Sequence, residues 1–382
     1  MTRRRALYLD PYHTASHRAL ARELTARSRH EIGLLTLPAR KWKWRMRGAA
    51  LAMEPFIRAG GPPPELLITT DFINVPELLA LTRDLWPRPV PVITYFHENQ
   101  LTYPAGSADV RDMHFALVNI HSALASDLVL FNSDFHRDEF VDAVDDLIGR
   151  MPDHRPERVG ARIRARSSVL GLPLDLEGME RARVAAGAEG APRPEGSPRP
   201  LVLWNHRWEE DRNPREFFEA MERLDAMASE GRAPDFGLAV AGQTFRTTPA
   251  VFGEYRERLA HRIGTWGFIE SREEYLGLLA DSSVVLSTSR HEFFGVSVME
   301  AIFMGCAPVL PRRLTYPGIA LGEGAFLYDD PGEIPAKVAA LLGADLGEAI
   351  RPLRERIMQF DAASVVARWD DLIDSVIGHR EG

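Results

Sequence analysis

Cysteine is nearly absent from this sequence, since Cys306 is the only one among 382 residues. A single thiol excludes an internal disulfide framework and is typical of a reducing compartment, so we expect a cytoplasmic protein. Cys306 lies in the small, apolar segment 305–311, which predicts a buried structural thiol rather than a nucleophile.

Long hydrophobic runs are lacking as well. No run approaches the roughly 18 apolar residues that cross a membrane, so stable membrane association is not expected. The N-terminal segment 1–12 combines basic residues with a short apolar run, which predicts a first strand rather than a signal peptide.

Motifs for cofactors, nucleotide hydrolysis and metals are also missing. The sequence has no Walker loop and no Gly-x-Gly-x-x-Gly run, which argues against an NTPase and against NAD binding at the first strand-to-helix turn. It has no Asp-x-Asp pair and no cysteine cluster, so we expect no cofactor and no dedicated metal site.

Positive charge is in deficit overall, because the net charge is −8. The cations that are present are clustered. Residues 40–47 contain five cations, two tryptophans and no acid, and residues 150–168 contain six arginines against two acids. Patches of this kind can attract a polyanion even on an acidic protein.

The segment with the two tryptophans is the best candidate for an acceptor site. Its members are Lys41, Trp42, Lys43, Trp44 and Arg45. Cations can reach phosphates while indole rings stack on bases. The alternative is a structural helix that packs one tryptophan inward and extends its cations into solvent.

What the sequence does contain is a regular alternation of apolar strand-like runs and helical runs. The composition is that of a globular protein, 45% hydrophobic and 26% charged. The alternation predicts an α/β fold with doubly wound parallel sheets. The predicted strands are 6–10, 65–70, 91–96, 127–133, 168–173, 201–206, 236–242, 284–289, 307–311 and 325–328.

A break in the pattern predicts two domains. Residues 183–199 are rich in Ala, Gly, Pro and Glu and show no periodicity, as a linker would. We therefore expect two Rossmann-like halves with a ligand site in the cleft between them. The predicted boundaries are 1–178 for the first domain, 179–200 for the linker, 201–360 for the second domain, and 361–382 for a last helix that could return to the first domain.

The junction after the strand 282–289 carries two carboxylates. A turn with Gly295 leads into the helical run 296–305, and ligands of open α/β domains bind at such junctions. Free amides at the helix start suit a diphosphate, while Glu292 and Glu300, eight positions apart, suit the hydroxyls of a sugar or ribose. The alternative is a solvated Glu292 and a Glu300 paired with an arginine.

A second strand-to-helix junction opens the C-terminal half. Asn213 is predicted to cap the helix that follows. Arg207 and Arg212 would face the same site as the first junction and could neutralise a diphosphate leaving group. The alternative is that both arginines form surface ion pairs with Glu209 and Glu210.

In the N-terminal half, four polar residues follow the strand 91–96 directly. They are His97, Glu98, Asn99 and Gln100. Polar side chains at the carboxyl end of a strand indicate a ligand site. We predict that His97 forms hydrogen bonds rather than binding a metal.

The paired halves, the basic pair and the two glutamates resemble a retaining glycosyltransferase of the GT-B fold. Six segments resemble, more specifically, the tRNA-queuosine mannosyltransferase family, over about residues 6–330. The segments are LPARKWKWRMR (37–47), TYFHENQLTYP (94–104), FNSDFHRDEF (131–140), PDHRP (152–156), WNHRWEEDRNPREFF (204–218) and HEFFGVSVMEA (291–301).

The resemblance implies a transfer of mannose from GDP-mannose to a cyclopentenediol hydroxyl of queuosine in the anticodon of tRNA-Asp. The implied partners are therefore a tRNA and a sugar nucleotide. By the same resemblance, Glu300 binds the nucleotide ribose, Arg207 contacts the diphosphate, and His97 contacts the donor sugar near the reacting carbon. Members of the family usually have a lysine where Arg212 stands, which keeps the charge but alters the geometry.

The resemblance also implies further binding residues. The turn that would hold the donor hexose and diphosphate comprises His291, Glu292, Phe293, Phe294 and Gly295. Ser16 and His17 would lie on the acceptor side, together with residues 98–100. Family members usually have Gly-Gly before that Ser-His pair, whereas this chain has Thr14-Ala15, and glycine allows closer backbone approach to a ligand.

The resulting hypothesis is a retaining, metal-independent transferase. The second half would bind the donor and the first half the acceptor, with His97, Glu292 and Arg207 at the reacting centre. Two kinds of alternative remain open at this point. One is another enzyme of the same fold, such as a transferase using another sugar nucleotide with a lipid or small-glycoside acceptor, or a sugar-nucleotide epimerase. The other is a non-catalytic tRNA-binding module.

Overall fold

The structure divides into two compact units. The computed structural model describes residues 2–104, 112–185, 199–245 and 248–381. Unit 1 comprises Met1–Pro173 and Ala362–Gly382, and unit 2 comprises Leu174–Asp361. Each unit carries its own parallel sheet.

Unit 1 is built on a six-stranded sheet within the described residues, in the order β2-β1-β3-β4-β5-β6. Its strands are β1 (Arg5–His13), β2 (Glu31–Pro38), β3 (Leu66–Thr70), β4 (Val92–Phe96), β5 (Leu128–Phe131) and β6 (Ser167–Val169). The helices of unit 1 that precede β6 in the sequence are α1 (Ala15–Arg27), α2 (Trp42–Ala59), α3 (Val75–Thr82), α4 (Met113–Ala125), α5 (Asp134–Gly149) and α6 (Val159–Arg164). β3 and β4 are buried along their whole length, as expected for strands covered on both faces.

Unit 2 has a second sheet of six described strands, in the order β12-β11-β10-β7-β8-β9. The strands are β7 (Leu201–Trp204), β8 (Gly237–Ala241), β9 (Ile263–Gly267), β10 (Ser282–Leu286), β11 (Ala307–Pro311) and β12 (Leu327–Tyr328). The helices are α7 (Leu176–Ala185), α8 (Pro214–Ser229), α9 (Val251–Arg258), α10 (Arg272–Asp281), α11 (Val296–Met304), α12 (Tyr316–Ile319), α13 (Ile334–Leu342) and α14 (Gly347–Ile357). The apolar face of α8, with Phe217, Phe218 and Leu224, packs on Trp204 and Leu238 of the sheet.

The last helix, α15 (Ala362–Glu381), belongs to unit 1. Its Asp370 accepts hydrogen bonds from the Ser28 hydroxyl at 2.5 Å and from the Arg29 backbone at 3.0 Å, both at the end of α1. Its Trp369 is buried and lies 5.6 Å from the Tyr95 ring. The helix is therefore held to unit 1 by a buried carboxylate and a buried aromatic contact.

The sequence pattern misses two strands, β2 and β9. Each forms the edge of its sheet, and its side chains are only partly buried. An edge strand lacks the continuous apolar run by which interior strands of a parallel sheet are found.

The linker prediction also differs from the structure. Residues 179–185 are helical and belong to α7, while residues 186–198 of the predicted linker lie outside the described residues. Cys306 is buried, as predicted, and burial raises the pKa of its thiol. None of the helices that the structure describes combines the length and apolarity needed to cross a bilayer.

Candidate active-site residues

Two strand-to-helix junctions of unit 2 lie side by side, because they follow the adjacent strands β7 and β10. The Thr288 hydroxyl donates to the backbone oxygens of Arg212 and Asn213, each at 3.0 Å. The Arg290 amide donates to the Asp211 backbone oxygen at 2.8 Å. These bonds fix the second junction against the first.

Asn213 occupies the N-cap position of α8 but does not cap the helix. Its backbone is left-handed, with φ of 52°, and its side chain makes no capping hydrogen bond. The side-chain amide instead donates to Glu216 at 2.6 Å. The sequence-based prediction of an Asn213 cap is therefore wrong in its chemistry, because a left-handed backbone turns the side chain away from the first helical amides.

Arg212 and Glu292 form a buried ion pair. One guanidinium nitrogen of Arg212, Nη1, donates to Glu292 Oε2 at 2.8 Å and to the His291 backbone oxygen at 2.7 Å. The Arg212 side chain is only 10% exposed. The structure thus brings Arg212 to the glutamate turn, and for this arginine the alternative of a surface pair with Glu209 or Glu210 is wrong.

Arg207 is placed differently. Its side chain is 41% exposed and forms an ion pair with Glu209 at 2.9 Å, with Asp211 farther away at 3.7 Å. For Arg207 the surface ion pair is therefore the arrangement observed.

Glu292 also accepts hydrogen bonds from the turn that follows it. Its Oε1 accepts from the amides of Phe293 at 3.1 Å and Phe294 at 3.3 Å. Burial alone would raise the pKa of Glu292, but the charge of Arg212 and these amides hold it below the ordinary value. Two amides that suit a diphosphate are thus bonded to Glu292 itself.

The turn requires the glycine that it contains. Gly295 has a φ of +86°, and a Cβ there would lie 2.8 Å from the Ile319 side chain. The backbone conformation favours glycine, and a larger residue would also have to displace the end of the Ile319 side chain.

Two buried histidines flank the ion pair. Burial and the neighbouring Arg212 charge lower the pKa of His206 to about 3 and that of His291 to about 4. Both rings are therefore neutral near pH 7, and positive charge at this site comes from the guanidinium groups.

Glu300 lies on α11 and accepts a hydrogen bond from Arg272 at 2.7 Å. Its side chain is 12% exposed and that of Arg272 is 48% exposed. Beside them, Asn205 donates to the Tyr275 hydroxyl at 3.0 Å and to the Ser297 backbone oxygen at 2.8 Å. The structure therefore contains the alternative arrangement, in which Glu300 is paired with an arginine. Because Arg272 is half exposed, a ligand could take its place beside Glu300.

In unit 1, His97 follows β4 and is buried. Its ring stacks on the His17 ring, with the centroids 3.7 Å apart and the planes at 14°. Its backbone amide donates to Asp71 Oδ1 at 3.0 Å. Burial and the nearby His17 hold the pKa of His97 well below its ordinary value, so the ring is neutral.

His17 belongs to a second group of polar residues at the end of β1. Asp10 bonds to His13 at 2.7 Å and to His17 at 3.1 Å. Burial would lower the pKa of His17, but the Asp10 charge raises it. Sequence reasoning missed Asp10 and His13, although the four-residue spacing of the two histidines behind an acid is a visible signal.

The missing glycines of the first turn have a simple structural account. α1 begins at Ala15, and Thr14 before it has a φ of −84°, which any residue adopts. Ser16 is partly exposed in the first turn of this helix. Neither Thr14 nor Ala15 therefore strains the backbone.

The residues after His97 have mainly local roles. Asn99 is buried, and its Oδ1 accepts from the amides of Leu101 and Thr102. The Gln100 side chain donates to Glu98 at 3.4 Å. Asn99 therefore builds the turn itself, whereas Glu98 and Gln100 are partly exposed.

The basic segment forms the start of α2. Lys41 precedes the helix in a left-handed conformation, and Trp42 packs against Phe115 with ring centroids 5.2 Å apart. Lys43 and Trp44 point outward, and Trp44 is 55% exposed, whereas Arg45 is partly buried. The helical alternative is thus correct for Trp42, while Trp44 offers a free indole face.

Within the described ranges, no three His, Cys, Asp or Glu residues are grouped so that they could hold a metal ion. The polar groups present near the strand ends are guanidinium groups, imidazoles, carboxyl groups and amides. Such a set can bind a diphosphate and the hydroxyls of sugars.

Comparison with solved structures identifies the fold. A sucrose-phosphate synthase from Thermosynechococcus elongatus matches with a TM-score of 0.70 and 14% identity, over 98% of this chain and 100% of that chain. An α,α-trehalose-phosphate synthase (UDP-forming) from Burkholderia vietnamiensis matches with a TM-score of 0.66 and 15% identity, over 98% and 100%. The predicted fold is confirmed: the protein has the GT-B fold of glycosyltransferases.

Comparison with protein sequences identifies the family. Residues 5–174 match the model of the tRNA-queuosine alpha-mannosyltransferase N-terminal domain, and residues 173–315 match that of a family 4 glycosyltransferase in conflict systems. A tRNA-queuosine alpha-mannosyltransferase from Drosophila melanogaster is 33% identical over 98% of both chains. The chain belongs to the tRNA-queuosine alpha-mannosyltransferase family and is a hexosyltransferase, so the alternative of a non-catalytic module is excluded.

A more distant relative has another acceptor in its name. It is the GDP-mannose:cellobiosyl-diphosphopolyprenol alpha-mannosyltransferase from Xanthomonas campestris, which is 23% identical over 79% of this chain and 72% of its own length.

Proposed function

We propose that the protein is a retaining transferase that moves mannose from GDP-mannose to queuosine in tRNA-Asp without a metal ion. The observation that carries the proposal is the 33% identity, over 98% of both chains, to a protein named for mannosylation of queuosine in tRNA. The Xanthomonas relative, whose name gives GDP-mannose as the donor, supports the same sugar nucleotide.

Unit 2 holds the donor in this proposal. Arg212 and Arg207 neutralise the diphosphate, and the amides of Phe293 and Phe294, in the turn before α11, become available to it when Glu292 turns to the hexose hydroxyls. Glu300 binds the ribose hydroxyls, which either bind beside its half-exposed partner Arg272 or take the place of that arginine. Charged groups fixed before the reaction stabilise a developing charge without reorganisation.

The reaction then needs no general base from the protein. The acceptor hydroxyl attacks C1 of mannose on the face from which GDP leaves. The bond from C1 to the phosphate oxygen breaks, the bond from C1 to the acceptor oxygen forms, and the acceptor proton passes to the phosphate of GDP. Orientation and charge stabilisation are the protein's contribution.

The acceptor binds to unit 1. In this proposal the exposed residues Lys41, Lys43 and Trp44 at the start of α2 contact RNA phosphates and stack on a base. Neutral His97 contacts the donor sugar near the reacting carbon.

A second candidate function is transfer to a lipid-linked glycoside. The Xanthomonas relative has such an acceptor in its name, and α2 exposes the apolar side chains Trp44, Leu51 and Phe56 beside its cations. A basic helix with exposed apolar residues can also lie on a membrane surface.

Mass spectrometry of nucleosides separates the two. The purified protein is incubated with GDP-mannose and total tRNA, or with GDP-mannose and a cellobiosyl-diphosphopolyprenol, and the products are digested or extracted. A hexose added to queuosine supports the proposal. A hexose added to the lipid alone supports the second candidate, and no product with either acceptor contradicts both.

A further inference from the structure

Two neighbouring residues of unit 1 carry buried polar atoms without partners. Asp71 follows β3 and His97 follows β4, and these strands are paired so that Thr70 lies opposite Tyr95. Asp71 is 1% exposed and His97 is 8% exposed. Among the described residues, nothing hydrogen-bonds to Asp71 Oδ2 or to either ring nitrogen of His97.

Unpartnered buried polar atoms are rare in native proteins, and their clustering calls for an explanation. Here three such atoms belong to two adjacent residues at the carboxyl edge of the sheet, where ligands of α/β domains bind. A cluster at this place in the fold is suited to a ligand with hydrogen-bonding groups of its own.

The surroundings hold both residues in place. The Asn119 side chain donates to the Asp71 backbone oxygen at 2.7 Å, and the Asn132 side chain donates to the His97 backbone oxygen at 2.9 Å. The His17 ring covers one face of His97. A receptor with anchored backbones and a stacked ring is preorganised for its ligand.

The charge of the group indicates which ligand it suits. Burial raises the pKa of Asp71, and its unpartnered oxygen can accept a hydrogen bond from a hydroxyl group. The His97 ring is neutral and offers one donor and one acceptor. Neither Asp71 nor His97 carries a positive charge, so the pair suits hydroxyl groups, whereas a phosphate would need cations.

We propose that Asp71 is a further substrate-binding residue, which together with His97 receives ring hydroxyl groups of a sugar-like substrate. The inference rests on the proposed function, which supplies two such substrates. One is the hexose of the donor and the other is the diol of the acceptor.

Binding and kinetics measured on four substituted proteins test this role. Asp71→Ala removes the whole carboxyl group, and Asp71→Asn keeps the oxygen that accepts from the His97 amide. His97→Phe removes both ring nitrogens but keeps the ring stack on His17. Asp370→Asn is the matched control, because it alters another buried carboxyl group of unit 1 that holds α15 and lies outside the proposed receptor.

The two arms of the experiment distinguish the substrates. In the first, Kd is measured for GDP and for GDP-mannose by calorimetry. If the hexose is the ligand, Asp71→Ala and His97→Phe raise the Kd for GDP-mannose at least tenfold and change the Kd for GDP by less than twofold.

In the second arm, KM is measured for queuosine-containing tRNA. If the diol is the ligand, it is this KM that rises at least tenfold. Asp71→Asn gives a smaller change in the same arm, and Asp370→Asn lowers Tm without changing either arm.

A substrate analogue separates binding from a general loss of structure. If the hexose is the ligand, the unmodified protein should lose at least tenfold in kcat/KM when the contacted hydroxyl of mannose is replaced by hydrogen, and Asp71→Ala should no longer distinguish the two sugars. If Asp71→Ala fails to fold, Asp71→Asn and His97→Phe give the same readout.

The inference is overturned if Asp71→Asn and His97→Phe match the unmodified protein within twofold in both arms. The proposed function itself is contradicted if the unmodified protein neither binds GDP-mannose nor modifies tRNA. The inference would then fail with it, and this outcome is recognised without any of the substituted proteins.

Discussion

Arg207 and Arg212 show how two residues of the same type, five positions apart in the sequence, come to differ in role. Arg212 is buried against Glu292, while Arg207 is half exposed and paired with Glu209. A buried charge depends on its partner, because an unpaired charge in a low-dielectric interior is costly. An exposed charge is compensated by water.

We therefore expect the two arginines to respond differently to substitution. Arg212→Ala should lower the free energy of unfolding by about 3–5 kcal/mol, because it leaves the largely buried Glu292 without its counter-ion. Arg212→Lys should lower it less, since the charge is kept. Arg207→Ala is the matched control and should change it by less than about 1 kcal/mol. Urea denaturation of the three proteins measures these differences, and equal losses for Arg212→Ala and Arg207→Ala would contradict the buried pair.

Glu300 makes a contrasting case, because its partner Arg272 is half exposed. Glu300→Ala should therefore leave the protein folded while raising the donor KM about 10–150-fold, as expected for the loss of about 1.5–3 kcal/mol from a charge-assisted hydrogen bond. Steady-state kinetics with varied GDP-mannose measures the KM, and Tm serves as the control for folding. A folded protein with an unchanged donor KM would remove Glu300 from the ribose site.

At the scale of elements, the interior strands and the helices between them could be predicted from sequence, because burial on both faces leaves a continuous apolar run. The edge strands β2 and β9 could not, since none of their side chains is fully buried. The proximity of Arg212 to the glutamate turn followed from parallel topology. That Glu292 bonds the amides of Phe293 and Phe294 did not follow, because it depends on the rotamer of one side chain.

Asp71 was missed for a related reason. It follows an apolar strand directly, as His97 does, and this pattern alone could have identified it. However, its neighbours Thr70 and Phe72 do not form a polar cluster in the sequence. The partnership of Asp71 with His97 arises only when β3 and β4 pair in the sheet.

The start of α2 allows a test of RNA binding against structural packing. Trp44 is exposed, so Trp44→Ala should weaken tRNA binding by about 1–3 kcal/mol while leaving Tm unchanged. Trp42 packs on Phe115, so Trp42→Ala should lower Tm. Measurements of Tm, donor Kd and tRNA Kd on both proteins decide the matter. If Trp44→Ala leaves tRNA affinity unchanged at low salt, the acceptor does not stack on this helix.

The loops of unit 2 should make its stability sensitive to acid. The folded pKa of His291 is lowered to about 4 from an ordinary value of 6.5, so the unfolded chain binds more protons between these pH values. The contribution of neutral His291 to the free energy of unfolding is complete above pH 6.5 and is lost as the pH falls towards 4.

His291→Gln removes this effect while keeping the backbone oxygen that Arg212 contacts. Between pH 6 and 5, the free energy of unfolding should therefore fall less steeply in the variant, by up to about 1.4 kcal/mol per pH unit. Urea denaturation at several pH values measures the slope. Parallel pH profiles for the two proteins would show that His291 is not held neutral by the fold.

At the scale of the whole molecule, an acidic chain with local clusters of cations is proposed to act on an RNA. The GT-B fold and the family membership define a hexosyltransferase. The central claim of the proposal is that the donor is GDP-mannose and the acceptor is queuosine in tRNA-Asp. The absence of any required metal is part of the same claim, because the arginines take over the neutralisation of the diphosphate.

The most direct test is transfer of a hexose to tRNA-Asp with and without queuosine, in excess EDTA and with GDP-mannose as the only donor. Nucleosides from each reaction are separated, and their masses are measured by mass spectrometry. We predict that queuosine gains one hexose at full rate in EDTA and that tRNA-Asp lacking queuosine gains none. A hexose on both tRNAs, on neither, or only after Mg²⁺ or Mn²⁺ is restored would contradict this account.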